Sequence, residues 1–262
     1  MSQKYSALLM DLDGTLVNTL YSLQDTMNKT MDELGLDRIT LEQTKKFVGN
    51  GGEKFVERAL AATADRYYRE AEKWEEKDED RAIDLDQKAD EVMELFDDAW
   101  NLYMDFFQEN CTYKAEPYPG LKACLDALKA EGWKLACITN KSLHEAIKVL
   151  DTAYGAGYFD YISGDDGTHP LKPDTGVVDD ALAHIGDTGV VDDALTHIGK
   201  TAADCLYVGD TNTDMETAKR AGIPSIGCIY GFRTQEELEE SGAAICIEQA
   251  ADLRKAIDYL SE

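Results

Sequence analysis

The chain has 262 residues, with 52 acidic side chains against 26 basic ones and a formal net charge of −26. That length admits one large or two modest domains with ample core. The field of so acidic a chain argues against nucleic acid or an anionic membrane as partner, and the acidity itself reads as a device for solubility.

The first element expected is a strand in the apolar run Tyr5 to Met10, which ends in Asp11-Leu12-Asp13-Gly14-Thr15. A strand that closes on two carboxylates spaced i, i+2 and then breaks at glycine presents acids at the crevice where open α/β sheets bind ligands. One carboxylate can attack while its neighbour handles the proton. Asp84-Leu85-Asp86 repeats the acid spacing within charged, helix-like sequence, so the preceding strand and the following Gly-Thr carry the signal. With a strand beginning near residue 5, no signal peptide is expected. No apolar run nears a membrane span, and the expected location is the cytoplasm.

After Thr15 the periodicity is helical for about a hundred residues. Leu23, Met27, Met31 and Leu34 form one stripe, ended by Gly35; Thr40 with Gln43 has the form of a capping box, opening a helix that runs to Phe47-Val48. Gly49-Asn50-Gly51-Gly52 follows. Phe55, Val56, Ala59, Leu60 and Thr63 mark the next helix, and Val92, Leu95, Phe96, Ala99, Leu102, Tyr103 and Phe106 are read as one further helix. Residues 70 to 98 carry fourteen acids and four bases, read as a solvated helix face or exposed helical hairpin in preference to an acidic docking surface. Trp74 and Trp100 are expected to anchor helix packing. The helical unit ends at Pro117-Tyr118-Pro119-Gly120.

From residue 121 helices and strands alternate. Strands are expected at Trp133–Ile138, Tyr161–Ser163, Cys205–Val208, Ser225–Ile229 and Ala244–Ile247, with helices at Leu121–Ala130, Ser142–Leu150, Asp214–Ala221 and the C-terminus. With the first strand returning to the same sheet, the expected class is α/β, a doubly wound parallel sheet with an inserted all-helical domain. The core is expected over 1–16 and 117–262, and the helical cap over 17–116. Cys111, Cys124, Cys137, Cys205, Cys228 and Cys246 include no C-x-x-C pair and read as buried hydrophobes of a reducing compartment. His144, His169, His184 and His197 lack metal-ligand spacing.

A tandem duplication spans residues 174–199: Asp174–Gly186 recurs as Asp187–Gly199 with one difference, Ala183 against Thr196. Thirteen residues leave a helix about 220° out of phase, so one continuous helix would throw the two apolar stripes to different sides. A break is expected between the copies, the first keeping the packed position.

Four points carry chemistry. Asp11 with Asp13 is the first. Ile138-Thr139-Asn140 is the second, a hydroxyl and an amide at a strand's end, suited to a phosphoryl oxygen or to an ordinary helix cap. The third is Lys172, flanked by Pro170 and Pro173, where a cation can neutralise charge developing on a transferred group. The fourth is Gly209-Asp210-Thr211-Asn212-Thr213-Asp214. Its two acids straddle a strand-to-helix turn and can complete a Mg²⁺ site with Asp11, or serve as an N-cap and a first-turn acid.

These four motifs, in this order and each at a strand's carboxyl end, resemble those of the haloacid dehalogenase superfamily. The helical insert is similar to the C1 cap of its phosphoglycolate phosphatase-like branch, as are Val48-Gly49-Asn50-Gly51-Gly52 and Gly231-Phe232-Arg233-Thr234. The sequence departs from the branch in having Asn18-Thr19 where Asp-Ser is usual. It departs again in the thirteen-residue excess between Lys172 and Gly209, and in the expanded cap around residues 70 to 98.

The resemblance implies that Asp11 forms an aspartyl-phosphate while Asp13 protonates the leaving oxygen and then activates water. It implies that Mg²⁺ is held by Asp11, the Asp13 carbonyl and Asp210, with Asp214 supporting the ion or orienting Lys172. Thr139, Asn140 and Lys172 would bind the transferring oxygens, and Gly49, Asn50, Gly51 and Gly52 would face the substrate under a closing cap. The expected activity is Mg²⁺-dependent hydrolysis of a small phosphate ester, 2-phosphoglycolate being the branch's namesake, by a monomer or homodimer. Alternatives are a sugar phosphomutase of the β-phosphoglucomutase type, a pyrophosphatase or nucleotidase, and a non-catalytic binding module that kept the fold.

Overall fold

A computed structural model describes residues 4–49, 51–186 and 201–262. The chain divides into two compact units, one of Met1–Thr19 with Lys114–Glu262 and the other of Leu20–Tyr113. The first holds a six-stranded sheet of β1 (Ala7–Met10), β4 (Lys134–Ser142), β5 (Tyr161–Asp165), β6 (Cys205–Gly209), β7 (Ser225–Cys228) and β8 (Ile245–Ile247). Two short strands, β2 (Val17–Asn18) and β3 (Glu116–Pro117), pair antiparallel where the chain leaves this unit and returns. That pairing places Thr19 and Lys114 with the first unit.

The sheet order is β5-β4-β1-β6-β7-β8, and every adjacent pair is parallel. From β1 the strand order runs one way through β4 to β5 and the other way through β6 to β8. The carboxyl end of β1 therefore lies at the point where the winding reverses, the crevice that binds ligands in open α/β sheets. Strands buried on both faces read as continuous apolar runs. Ala7 to Met10 and Leu135 to Ile138 are completely buried, and Cys205 to Val208 almost so.

Among the described residues this unit also holds helices α6 (Leu121–Ala130), α7 (Leu143–Tyr154), α8 (Gly176–Gly186), α9 (Asn212–Ala221), α10 (Gln235–Glu240) and α11 (Leu253–Ser261). The first copy of the duplicated segment forms α8, whose Val177, Val178, Ala181 and Ile185 join Leu9, Ile138 and Tyr207 in one core cluster. The second copy, and with it the expected break, lies outside the described residues.

The second unit contains α1 (Leu20–Glu33), α2 (Leu41–Phe47), α3 (Gly52–Glu72), α4 (Glu79–Glu94) and α5 (Phe96–Asn110). Leu23, Met27 and Met31 are buried along α1. The capping box opens α2, with Thr40 N–H donating to Gln43 and Gln43 N–H to the Thr40 hydroxyl. The acidic stretch forms the second arm of an α3–α4 hairpin, closed by Ala71, Ala82 and Leu85 with Tyr67 and Trp74 against them. The Arg81 guanidinium lies 3.8 Å above the Trp74 ring, and Trp100 stacks on Tyr103. One expectation fails here. Val92 to Phe106 is not one helix, because the chain breaks at Leu95 and restarts at Phe96. The restart puts Asp97 and Asp98 in a first turn, where the helix dipole favours acids.

Candidate active site

Three strand ends and one loop of the first unit meet beyond Met10. Past β1, Asp11 stays in line with the sheet, its N–H donating to the Val208 carbonyl of β6. The chain then folds into a tight loop in which Leu16 and Val17 both donate to the Leu12 carbonyl. Gly14 lies at φ 89°, and a Cβ there would strike the Asp210 carboxylate, as would one on Gly231. The glycine after the second acid is thus needed for both backbone shape and close approach.

Lys172 is the buried centre of the arrangement. Its Nζ donates to Asp11 Oδ1 and Asp214 Oδ1, each at 2.7 Å, and to the Ile138 carbonyl at 2.9 Å. Those bonds engage all three ammonium protons. Asp214 is equally committed, since its Oδ2 accepts from Asp210 N–H, Thr211 N–H and the Thr211 hydroxyl. Asp214 is thus a first-turn acid that closes a capping box with Thr211, which takes the N-cap position in place of Asp210, and it also holds Lys172. Asp210 is fully buried and accepts from Thr15 Oγ1 at 3.1 Å and Phe232 N–H at 2.7 Å.

The end of β4 differs from expectation. The strand continues to Ser142, with a shift of register between Ile138 and Ser142, so Thr139 and Asn140 lie in an irregular strand end rather than at a helix mouth. Thr139 is buried, and its hydroxyl accepts from Lys141 N–H. Asn140, expected to bind a phosphoryl oxygen, instead clasps the backbone of Lys172. Its side-chain oxygen accepts from Lys172 N–H at 2.7 Å, and its amide donates to the Lys172 carbonyl at 3.1 Å.

Lys141 was not singled out from the sequence. Its Nζ donates to both oxygens of Asp13, at 2.9 and 2.8 Å. Its only sequence signal is a lysine directly after a strand's Thr-Asn. Thr15, Thr211 and Phe232 belong to motifs quoted from the sequence but carry no role of their own there; here they contribute hydrogen bonds to Asp210 and Asp214. Of the glycine-rich residues expected to face substrate, Gly49 and Gly51 lie between α2 and α3 in the second unit, Gly51 as the residue before α3, and Gly52 opens α3. Asn50 lies outside the described residues.

The electrostatics follow from burial. Desolvation raises the Asp11 carboxyl from 3.8 to about 7, against the pull of Lys172 and with help from Asp214 and Asp13. Burial also lifts Asp210 well above the carboxylate range, and Asp11 and Asp214 push it further. Burial alone would discharge Lys172, but Asp11 and Asp214 more than offset it, and its pKa lies well above the usual lysine value. Among the described residues, the ion pairs and carboxyl cluster of the site set four acidic groups, Asp11, Asp13, Asp210 and Asp214, against the ammonium groups of Lys141 and Lys172, an excess of two acids.

Carboxylate oxygens of Asp11, Asp210 and Asp214 lie within 4.8 Å of one another. Buried oxygen donors in that excess, with Gly14 and Gly231 leaving Asp210 its space, fit a hard divalent cation. A consequence for stability can be measured. A raised folded pKa means that the native state holds a proton the unfolded chain has lost. The stabilisation is therefore complete below about pH 4 and disappears as pH rises through about 7. Thermal unfolding in chelator should show that loss, and added Mg²⁺ should raise the midpoint more at about pH 8 than at about pH 5. Equal stabilisation at both pH values would count against Asp11 as a ligand.

The family model for haloacid dehalogenase-like hydrolases matches residues 8–228. A phosphoglycolate phosphatase from Aquifex aeolicus (strain VF5) is 28% identical over 251 residues, which covers 96% of each chain. One from Mesorhizobium japonicum is 28% identical over 259 residues, covering 96% of this chain and 98% of its own. A solved structure from Lactobacillus delbrueckii subsp. bulgaricus, described provisionally as a phosphoglycolate phosphatase, aligns with a TM-score of 0.78 at 26% identity, over 97% of this chain and 98% of its own.

Proposed function

This chain belongs to the haloacid dehalogenase-like hydrolases and is a phosphatase, and from that premise we propose that it cleaves small anionic phosphomonoesters, 2-phosphoglycolate first among them, through a phosphorylated Asp11. The observation that carries the reading is the convergence on Asp11 of Lys172 from one segment and of Asp210 and Asp214 from another, at the point where the sheet's winding reverses.

Asp11 attacks phosphorus in line, and the bond to the ester oxygen breaks as Asp13 delivers a proton to that oxygen. Water then attacks the aspartyl-phosphate, Asp13 takes its proton, and inorganic phosphate leaves with Asp11 restored. Lys172 holds Asp11 in position and offsets negative charge at the reaction centre, while Asn140 and Asp214 fix Lys172. The Thr139 hydroxyl stands ready for a phosphoryl oxygen.

Mg²⁺ would be held by Asp11, Asp210 and the Asp13 carbonyl, where it would supply positive charge against the repulsion between carboxylate and phosphate. Asp214 contributes through Lys172. Among the described residues no helix is long and apolar enough to cross a membrane, and the reading adopted is a cytoplasmic enzyme acting as a single chain or homodimer.

The test is phosphate release from a panel that includes 2-phosphoglycolate, nucleoside monophosphates, sugar phosphates and pyrophosphate. Release from 2-phosphoglycolate should stop with chelator and return with Mg²⁺. Conversion of one sugar phosphate to its isomer without free phosphate would favour the mutase. Inertness across the panel with Mg²⁺ present would favour a binding module.

A further inference from the structure

Lys141 has no part in the steps above, yet its pairing with Asp13 is built at a cost. Lysines are almost never buried unless paired, and the Lys141 side chain is 5% exposed against 22% for Asp13. Its ammonium spans both oxygens of the one carboxylate proposed to meet the leaving group. The two lysines of the site therefore differ in kind. Lys172 gives its three protons to Asp11, Asp214 and a main-chain carbonyl at the buried floor. Lys141 stands at the more open acid, the one proposed to protonate the ester oxygen.

We propose that Lys141 is a specificity-determining residue, its ammonium receiving a carboxylate carried on the carbon bonded to the substrate's ester oxygen. The proposal rests on the phosphatase reading and assigns a residue to its choice of substrate. A leaving oxygen within hydrogen-bond reach of Asp13 stands about 3 Å from that carboxylate, and Lys141 Nζ stands as close to it on its own side. A substituent on the ester carbon thus falls within reach of the ammonium.

A carboxylate there competes with Asp13 for the cation and turns an Asp13 oxygen towards the leaving oxygen. A hydroxyl or amide offers the ammonium a weaker, uncharged acceptor and leaves the Lys141–Asp13 pair closed. Recognition of the acid group and placement of the proton carrier are then one event, made by one side chain.

The experiment compares kcat/KM for 2-phosphoglycolate with that for its neutral amide, 2-phosphoglycolamide, in the full chain with Mg²⁺. The wild type should prefer the acid by about tenfold to a hundredfold, the size of one charge-assisted hydrogen bond. Lys141→Met should bring that ratio to within about threefold of unity, and Lys141→Arg should keep most of it. A ratio unchanged in Lys141→Met overturns the proposal alone. A wild type that hydrolyses neither ester overturns it together with the substrate reading beneath it. Should the methionine variant fail to fold, the wild type still decides: glycolate should inhibit more strongly than glycolamide, and equal inhibition overturns the proposal.

Discussion

Asp11→Asn should abolish turnover, by about four orders of magnitude or more, as expected when the attacking group itself is removed. The amide lacks the charge and the nucleophilic oxygen, but it keeps the shape, and its oxygen can still accept the bond from Lys172 that Asp11 Oδ1 accepts at 2.7 Å. The fold should survive. Without cation the variant should be no less stable than the wild type at about pH 8, because it removes a buried carboxyl that desolvation has already lifted to about 7. The wild type's loss of stability between about pH 4 and about pH 7 should flatten correspondingly. Phosphate release with thermal unfolding in chelator checks both halves. Hydrolysis retained by this variant would remove Asp11 from the nucleophile's place.

Lys172→Ala should damage both activity and stability. It leaves the buried carboxylates of Asp11 and Asp214 facing one another without the ammonium that bridges them. Breaking a buried pair from one side costs about 3–5 kcal/mol, and loss of a preorganised charge at the reaction centre costs about a hundredfold to a thousandfold in kcat. Lys172→Arg should rescue little, since the ammonium's three acceptors suit a compact point charge and a planar fork cannot meet them. Urea unfolding with steady-state kinetics reads the two losses separately. Rates near wild type for the alanine variant would place Lys172 outside the reaction.

Asp11, Asp13, Lys172, Asp210 and Asp214 were legible in the sequence because each stands at an abrupt change of local pattern. Apolar runs end in acids and then glycine or threonine, and one lysine lies beside a proline at the end of a loop. Such transitions are local, and the rules for parallel sheets bring the strand ends to one edge. Contacts that depend on register were not legible. Met10 pairs with Cys137 across β1 and β4, and only that register brings Asp13 and Lys141, each a few residues beyond its strand's pairing, side by side. Asn140 likewise reads as a phosphoryl contact or a helix cap in the sequence because its partner, the Lys172 backbone, is 32 residues away. The break at Leu95 escaped because the apolar spacing continues across it, and the stripe alone does not register one residue whose backbone leaves the helical region.

The central claim is that the phosphoryl group passes through Asp11. Enzyme mixed with radiolabelled 2-phosphoglycolate and Mg²⁺, quenched in acid within one turnover and digested, should yield label on the peptide that carries Asp11, and none from Asp11→Asn. Rapid turnover with no covalent label, or label on a different residue, would contradict the account.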